Sequence, residues 1–583
     1  MNRRTKFSMV PVCGLVAVLT ACDTGGTSGS AVTASSSSTG GGTVTLVITN
    51  PFDSYNTLSA PGNTTWNQDV VNAIQPWIVK FDDHANIAAD AGLATVTKTS
   101  DRPLVIEYAF NPRAVWSDGE PVGCDDVYLA WVADNGVAQD AGTGKPLFEP
   151  AATTGWDQIA DVACSADGTI ATVTYATPFS DWKSLVANLM PAHVVADHAG
   201  LTSPAAIRTA YAAGDVATLK KVADFWNNGF TIKDGFDPSV ELSAGPYRLG
   251  RIGSDQAVTL VRNERYWGPA GRLDTIVFRV VANEGAQAQA LANREVDVIG
   301  GTGTDPDGVN RLKSLKGVTV SIGGSYTFEH IDFNFQFPLF RDKAVRQAVA
   351  DCIPRQDILD KLVKPVQGDA VLLQNRLFFP NQAGYTDTSG GRYDRVDIAA
   401  AKAALEADGW RLDGDVYAKN GNRLEFELLH KDVAPRSAIA QLTQASCAAA
   451  GIAIVDDGER NWSDRVAHGN FEAVDFSWTG TPQLSQQRST YHTPAGPEDL
   501  ASNFGAYSNA EVDTLLDVLA TETDEAKVVD AANRADTLLW QDLATVPLYQ
   551  APAVVAWADN VHGVRPNPTY QGLTWNVETW TVS

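Results

Sequence analysis

A short acidic stretch of this 583-residue sequence groups several side chains that could do chemistry. It reads WSDGEPVGCDDV and spans residues 116–127. Its four carboxylates and one thiol belong to Asp118, Glu120, Asp125, Asp126 and Cys124. Paired carboxylates can act as general acid and base, spaced carboxylates can bind calcium, and acids before a helix can cap its free amides. The surrounding residues discriminate between these chemistries.

The calcium hypothesis requires oxygen ligands at the first, third and fifth loop positions and a bidentate Glu at the twelfth. A loop that starts at Asp118 has Val122 at its fifth position and Leu129 at its twelfth, and neither side chain can coordinate a cation. The Asp-Gly dipeptide and the proline after it are typical of a turn. Asp125 and Asp126 then precede apolar residues at helical spacing, where acids complement free amides. We therefore predict a turn and a capped helix here, without a metal or a catalytic pair.

The rest of the chain carries none of the common catalytic signatures. It has no His-Glu-x-x-His, no Gly-x-Ser-x-Gly and no Gly-x-x-x-x-Gly-Lys-Ser/Thr sequence. Gly301 and Gly303 lack the third glycine of a dinucleotide-binding loop, because Pro306 stands in its place. The closest two of the eight histidines, His193 and His198, are five residues apart and do not share a helical face. We predict a protein that is not an enzyme and has no cofactor or metal.

Charge and the N-terminus indicate a compartment. A formal net charge of −25 argues against a nucleic-acid binder, which would need a basic patch. Basic residues at positions 3, 4 and 6 precede a mostly apolar run, Phe7 to Ala21, which is too short to span a bilayer comfortably. Residues 1–21 are therefore predicted to be a secretory signal peptide.

A cysteine follows this signal directly. Leu19-Thr20-Ala21-Cys22 resembles the bacterial lipobox, and the resemblance implies cleavage before Cys22 and a lipid attached to its sulfur. A plain secretory signal with an incidental cysteine is the alternative. Residues 22–43 consist largely of Gly, Ser and Thr, which is typical of a flexible tether. Signal, cysteine and tether predict a domain that is lipid-anchored at the extracytoplasmic face of a bacterial cell membrane.

Four further cysteines remain after the signal peptide and Cys22: Cys124, Cys164, Cys352 and Cys447. An even number in an extracytoplasmic chain permits two disulfides in three connectivities. We predict the local pairs Cys124–Cys164 and Cys352–Cys447, because each pair then lies within one region. Buried free thiols are the alternative.

Strand-like and helix-like segments alternate along the chain, which predicts an α/β protein, and its length predicts more than one lobe. Strands are predicted at 44–49, 104–110, 171–176, 258–261 and 275–281. Helices are predicted at 286–294, 343–352, 397–407, 436–450, 510–521 and 523–542. Asp342 is expected to cap the second of these helices, and Ser508 is expected to begin a capping box before the fifth.

Two tryptophans differ from the others in their polar and small neighbours. Trp66 lies in Thr64-Thr65-Trp66-Asn67, and Trp478 lies in SWTGT, residues 477–481. Such segments suit a cleft wall that stacks against a ligand and offers it hydrogen bonds, with ordinary core packing as the alternative. The predicted ligand-binding residues are Trp66, Asn67, Trp478, Thr479 and Thr481.

An ordered set of motifs gives the acidic stretch a family context. The stretch itself is followed by Gly245-Pro-Tyr247, by VRNERYWG at 261–268 and by Glu295-Val-Asp297. FRDKAVRQAVADCIPRQDI at 340–358 and SNAEVDTLL at 508–516 complete the set. In this order the motifs resemble those of the family 5 extracellular solute-binding proteins, the oligopeptide, dipeptide and nickel receptors of ABC importers. The resemblance covers the chain from about residue 44 to 583.

The resemblance implies a two-lobed, periplasmic-binding-protein-like fold of the large class, whose lobes close on a ligand by hinge motion. It places the first lobe at 44–65, 186–320 and 546–583, an inserted domain at 66–185 and the second lobe at 321–545. The implied function is a lipid-anchored receptor that captures an oligopeptide or similar solute between the lobes and delivers it to an ABC permease. Alternatives are an oligosaccharide receptor, or a regulatory envelope lipoprotein without transport.

One position departs from the family pattern. Peptide-binding members carry an Asp three residues after the tryptophan of the cleft strand, where it neutralises the α-ammonium group of the peptide. Thr481 stands three residues after Trp478 and supplies no charge. A buried ammonium without a counter-ion is costly. A free peptide N-terminus therefore requires a substitute such as Asp475, whereas an oligosaccharide would rely on tryptophan stacking.

Overall fold

The computed structural model describes residues 41–233, 235–301, 306–496 and 500–583. The predicted signal peptide, Cys22 and the tether up to residue 40 lie outside the described residues. In the described part of the chain, no helix combines the length and the apolar character needed to cross a membrane.

The strands follow the chain in this order: β1 Thr43–Ile48, β2 Val79–Phe81, β3 Ile87–Ala89, β4 Ala94–Asp101, β5 Leu104–Phe110, β6 Ile159–Cys164, β7 Ile170–Tyr175, β8 Tyr247–Ile252, β9 Val258–Arg262, β10 Thr275–Val280, β11 Val298–Gly301, β12 Val318–Phe333, β13 Arg411–Asp413, β14 Val416–Lys419, β15 Asn422–Arg423, β16 Glu425–Lys431, β17 Ala453–Glu459, β18 Ala473–Thr479, β19 Thr545–Ala558, β20 Val561–His562 and β21 Thr581–Val582.

The α-helices are α1 Thr65–Val71, α2 Cys124–Asp134, α3 Trp182–Leu185, α4 Ala192–His198, α5 Ala205–Ala213, α6 Val216–Asn228, α7 Glu284–Ala292, α8 Pro306–Ser314, α9 Pro338–Arg341, α10 Lys343–Cys352, α11 Arg355–Ile358, α12 Ile398–Ala407, α13 Ala434–Ala448, α14 Trp462–Ala467, α15 Gln487–Tyr491, α16 Ala510–Thr521 and α17 Glu525–Asp542.

Ten strands form one sheet in the order β17-β16-β18-β12-β19-β11-β1-β10-β9-β8. The first half of the sheet contains β11, β1, β10, β9 and β8, in which β1 runs parallel to both β10 and β11. The second half contains β17, β16 and β18, in which β16 runs parallel to its two neighbours. Separate hydrophobic cores pack against the two halves.

The strands β12 and β19, here called the connecting strands, join the two halves. Residues 318–324 pair with 552–558 beside the first half, and residues 328–332 pair with 545–550 beside the second. The pairing shifts register between Gly324 and Phe328, where Gly324 lies opposite Pro552. A proline donates no ladder hydrogen bond and a glycine restricts the backbone least. The sheet is therefore irregular at the junction of its halves.

A four-stranded antiparallel sheet, β4-β5-β7-β6, lies in the region predicted as an inserted domain. The disulfide Cys124–Cys164 joins α2 to β6 of this region, with a Cα–Cα distance of 5.6 Å. The second disulfide, Cys352–Cys447, joins α10 to α13 with a Cα–Cα distance of 4.9 Å. Both are the local pairs that the sequence predicted.

Several predicted elements recur with the predicted bounds, among them β5, α10 and α16. The carboxylate of Asp342 accepts the amide of Ala344 and caps α10 as expected. The capping box at Ser508 is wrong, since Asn509 is the cap of α16 and accepts the amides of Glu511 and Val512. The asparagine side chain reaches the free amides from the position next to the helix, which leaves no role for a cap one residue earlier.

The acidic stretch forms the predicted turn and helix start. Asp118 accepts the amide of Glu120, and Asp126 accepts the amides of Gly123 at 2.9 Å and Ala192 at 2.8 Å. Burial raises the pKa of Asp126 to about 6, and these two backbone hydrogen bonds oppose the rise. The carboxylates of Asp118 and Asp126 therefore hold backbone amides of the turn and of the start of α4 in place.

Candidate ligand-binding cleft

A cavity of about 500 Å³ opens at the carboxyl edge of the first half of the sheet. The ends of β1 and β11 form its floor, with Thr49 and Gly301 at the rim, and the connecting strands add Ser325 and Ala553. Helices α1, α7 and α8 and the loop at 567–573 complete the wall. Ligands of open α/β sheets bind outside the carboxyl ends of the strands, so this cavity is the candidate binding site.

The cavity wall is mainly apolar. The apolar part consists of Val47, Ile48, Ala282, Ala288, Ile299, Val309, Leu312, Ala553, Val554, Val555, Pro568 and Leu573, with the aromatic rings of Trp66 and Tyr570. Among the described residues of the wall, the ionisable ones besides Tyr570 are Asp69, Glu284 and Arg311, of which Glu284 and Arg311 are exposed. A mainly apolar wall with a few polar groups suits a small organic solute.

Helix α1 contributes Thr65, Trp66 and Asp69 to the cavity. The helix begins after Thr64, whose hydroxyl accepts the amide of Asn67. Residues three and four positions apart share a helical face, so Asp69 lies on the face of Trp66 and Thr65. A single capped turn thereby places an aromatic ring and a carboxyl group in the same wall.

Trp66 and Asn67 have different roles in the structure. Trp66 is partly buried, lines the cavity and donates its indole N–H to Asp53 Oδ1 at 3.4 Å. Asn67 is fully buried and is not in the cavity wall. Its amide donates to Asp53 Oδ1 at 2.8 Å and to Gly62 O at 3.1 Å, and it accepts the amide of Asp53. Asn67 therefore fixes the loop behind Trp66.

Trp478, Thr479 and Thr481 lie in the second half of the molecule and are not in the cavity wall. Trp478 is partly buried and stacks on Phe504, with 5.6 Å between ring centroids. The exposed Thr479 lies with its hydroxyl 3.2 Å from that of Thr327 on β12. The structure does not bring these residues into one wall with Trp66.

Thr481 belongs to a contact between distant segments. Its hydroxyl donates to Gln483 Oε1 at 3.1 Å, and the Gln483 amide group donates to Ser184 Oγ at 3.2 Å. Ser184 lies on α3, which precedes β8 of the first half of the sheet in the chain. Thr481 thus supports a link between α3 and the second half of the molecule.

Asp475, the expected substitute for a cleft carboxylate, is fully buried. Burial raises the pKa of Asp475 well above its ordinary value, and the neighbouring Glu329 raises it further, while Arg436 opposes the rise. Arg436 donates to Glu329 Oε1 at 2.6 Å and to Ser477 Oγ at 2.9 Å. Asp475 faces this internal cluster and does not reach the cavity.

Sequence reasoning missed Asp69, Glu284, Arg311 and Tyr570. A local signal existed for Asp69, which follows Trp66 by three residues in a capped helical segment. No local signal existed for Tyr570, because its loop reaches the cavity from the far end of the chain. Among the described residues, no group of three or more His, Cys, Asp or Glu side chains is arranged to hold a metal ion.

Comparison with known proteins identifies a matching family model and several relatives. A family model described as bacterial extracellular solute-binding proteins, family 5 Middle, matches residues 89–496, well over half of the chain. The oligopeptide-binding protein OppA of Mycobacterium tuberculosis is 28% identical over 523 residues, covering 88% of this chain and 81% of OppA. An uncharacterized lipoprotein of the same species is 27% identical over 610 aligned residues, covering 100% of this chain and 99% of that lipoprotein.

Solved structures give the same result for the fold. The periplasmic EDTA-binding protein EppA has a TM-score of 0.81 and 25% identity, covering 93% of this chain and 97% of EppA. The oligopeptide-binding protein AppA of Bacillus subtilis, solved with a nonapeptide, has a TM-score of 0.67 and 18% identity over 93% of this chain and 99% of AppA. The predicted α/β, two-lobed binding-protein fold is confirmed, and the chain belongs to the bacterial extracellular solute-binding proteins of family 5.

Proposed function

We propose that this protein is the lipid-anchored receptor of an ABC importer and that it captures an oligopeptide or a chemically similar solute. The single observation that carries the proposal is the apolar cavity of about 500 Å³ at the carboxyl edge of the first half of the sheet. It adjoins the irregular junction of the connecting strands, where a change of angle between the lobes would open or close it. No catalytic step is part of the proposal.

The wall chemistry favours a peptide over the alternatives. An aliphatic wall accommodates apolar side chains, whereas a sugar needs polar partners for its many hydroxyl groups. The structurally similar EppA is described as EDTA-binding, but the described wall residues of this cavity include two carboxyl groups, Asp69 and Glu284, against one basic side chain, Arg311, which disfavours an anionic chelate. OppA, a relative over most of the chain, is named for oligopeptide binding, which supports the same class of ligand.

Lipid anchoring is supported by the lipoprotein relative that aligns over the whole chain. The proposed attachment point is Cys22, and the proposed partner is an ABC permease at the same membrane. The lobe boundaries at 44–65, 186–320 and 546–583, at 66–185 and at 321–545 remain predictions.

A thermal-shift screen tests the proposed ligand class. The chain from residue 22 onward, with Cys22→Ser to prevent lipidation, would be screened against a tripeptide library and an oligosaccharide library. A bound ligand raises the melting temperature in proportion to the logarithm of its concentration over its dissociation constant. Peptide-dependent shifts support the proposal. Shifts with oligosaccharides alone would assign a sugar receptor, and the absence of any shift would favour a regulatory lipoprotein.

A further inference from the structure

Asp69 lies in a closely fitted position in the cavity wall. A Cβ atom added to Gly572 would lie 3.0 Å from Asp69 Oδ1, so the bare glycine leaves the space that the carboxyl group occupies. Gly572 also has a φ of +61°, which favours glycine. The backbone amide of Leu573 lies beside the carboxyl group of Asp69. The hydroxyl of Thr574 donates to the backbone carbonyl oxygen of Asp69 at 2.7 Å. The loop at 572–574 therefore packs against Asp69 at the cavity wall.

The surroundings of Asp69 are poor in positive charge. Within the described part of the wall, Arg311 and Glu284 are the other charged residues, and both are exposed on helices α8 and α7. The hydrogen bonds to Asp69 come from neutral groups, and among the described residues no basic side chain contributes to the shift of its pKa. Burial raises the pKa of Asp69 to about 7. A carboxylate in such a wall is costly unless a cation accompanies it.

The rest of the wall fits the group that would accompany such a cation. Trp66 lies on the same helical face, Tyr570 lies in the loop beside Gly572, and aliphatic side chains from β1, β11 and β19 form the floor. A ligand with an ammonium group beside an apolar side chain complements both the carboxyl group of Asp69 and the apolar residues of the wall. The N-terminal residue of a peptide has this chemistry.

We propose that Asp69 binds the α-ammonium group of the peptide ligand, with the first apolar side chain of the peptide in the aliphatic part of the cavity. The inference rests on the proposed function, because it requires a peptide ligand. It places the counter-ion of the ammonium group in the first half of the molecule. In the family pattern the counter-ion is an Asp at the position of Thr481, which lies in the second half.

The test uses isothermal titration calorimetry on the chain from residue 22 onward with Cys22→Ser. The probes are trileucine and trialanine, each with a free amino terminus and each N-acetylated. We expect acetylation to weaken binding by about tenfold or more, since a charged hydrogen bond is lost. Asp69→Asn is expected to weaken binding of the free peptides by a similar factor and to leave the acetylated peptides unchanged.

Asp224→Asn is the matched control, because it makes the same carboxyl-to-amide change at an exposed position on α6 that lies outside the cavity wall. It is expected to change the affinities less than threefold. A circular-dichroism melt of each variant separates loss of binding from loss of fold. Retention of the preference for free peptides in folded Asp69→Asn would overturn the inference.

The outcomes separate failure of the inference from failure of the proposed function. Equal binding of the free and acetylated peptides would overturn the role of Asp69 and leave a peptide receptor in place. Absence of binding of either form to the unmutated protein would overturn the peptide function together with the inference. A preference for free peptides that Asp69→Asn abolishes and Asp224→Asn preserves supports both.

Discussion

The carboxylate of Asp181 accepts the backbone amide of Ser485 at 2.9 Å, although the two residues are 304 positions apart. Beside them, the amide of Ser180 donates to the carbonyl oxygen of Ala520 at 3.1 Å. Burial raises the pKa of Asp181, and the hydrogen bonds with Ser485 and Leu484 oppose the rise. These contacts join the segment before α3 to the second half of the molecule. The residues that make them lie outside the connecting strands in the sequence.

Removal of this acceptor is expected to weaken the tie. Asp181→Ala leaves the Ser485 amide without its partner and should lower the free energy of unfolding by about 1–3 kcal/mol. Asp181→Asn keeps an acceptor oxygen and avoids the desolvation of a carboxylate, so it should lower the free energy of unfolding by less. Urea denaturation of both variants measures the difference. An equal loss in the two variants would contradict the assigned role of the oxygen acceptor.

The raised pKa of Asp69 predicts that the stability of the ligand-free protein depends on pH. Its pKa is raised to about 7 in the folded state, so the folded state favours the protonated form. The contribution of Asp69 to stability therefore falls as pH rises from its ordinary pKa towards 7. Asp69→Asn should be more stable than the unmutated protein at pH 8, with a difference that shrinks towards pH 4. Urea denaturation across this range measures the effect, and a difference that grows at low pH would contradict it.

Gly301 offers a way to fill the cavity without strain. A Cβ atom at Gly301 would contact nothing within 4 Å, and the residue lies in the cavity wall at the end of β11. Gly301→Val should weaken ligand binding at least about tenfold, because the added methyl groups occupy ligand space. The melting temperature without ligand should change little.

Gly368→Val is the control for that substitution, because Gly368 also has nothing within 4 Å and lies outside the cavity wall. It should leave both affinity and melting temperature unchanged. Calorimetric titration with the best peptide of the screen measures the affinities. Equal affinities of the two valine variants would show that the ligand binds elsewhere.

The two disulfides close loops of different length, with separations of 40 and 95 residues. Replacement of either pair by alanine should lower the free energy of unfolding by about 2–5 kcal/mol. The Cys352–Cys447 pair should contribute more than the Cys124–Cys164 pair, by less than about 1 kcal/mol, because loop-closure entropy grows only slowly with length. Chemical denaturation of the two double variants measures the order, and a reversed order would contradict a purely entropic origin.

The lipid proposed at Cys22 predicts that the protein is found in the membrane fraction of the cell. Cys22→Ser should move the protein from the membrane fraction to the soluble extracytoplasmic fraction, because the thioether-linked lipid can no longer form. Fractionation followed by detergent phase partition measures this. Cys124→Ser tests specificity, since it removes a cysteine that is not at the signal boundary and should leave the protein in the membrane fraction.

The sequence by itself determined the local structure and the family. Asp342 caps α10 as predicted, β5 has its predicted bounds, and the acidic stretch at 116–127 holds backbone amides. The local pairs among the four cysteines were also the observed ones. These features depend on residues close in sequence or on an ordered set of motifs, so they can be recognised without coordinates.

The tertiary structure alone decided which side chains share a cavity. Trp66 and Asn67 are neighbours in the sequence, yet one helical turn places Trp66 in the wall and directs Asn67 to the loop behind it. Tyr570 reaches the same cavity from a loop hundreds of residues away. Whether Asp475 or Asp69 can meet a ligand depends on burial, which packing of distant segments sets. Local pattern carries no record of such long-range packing.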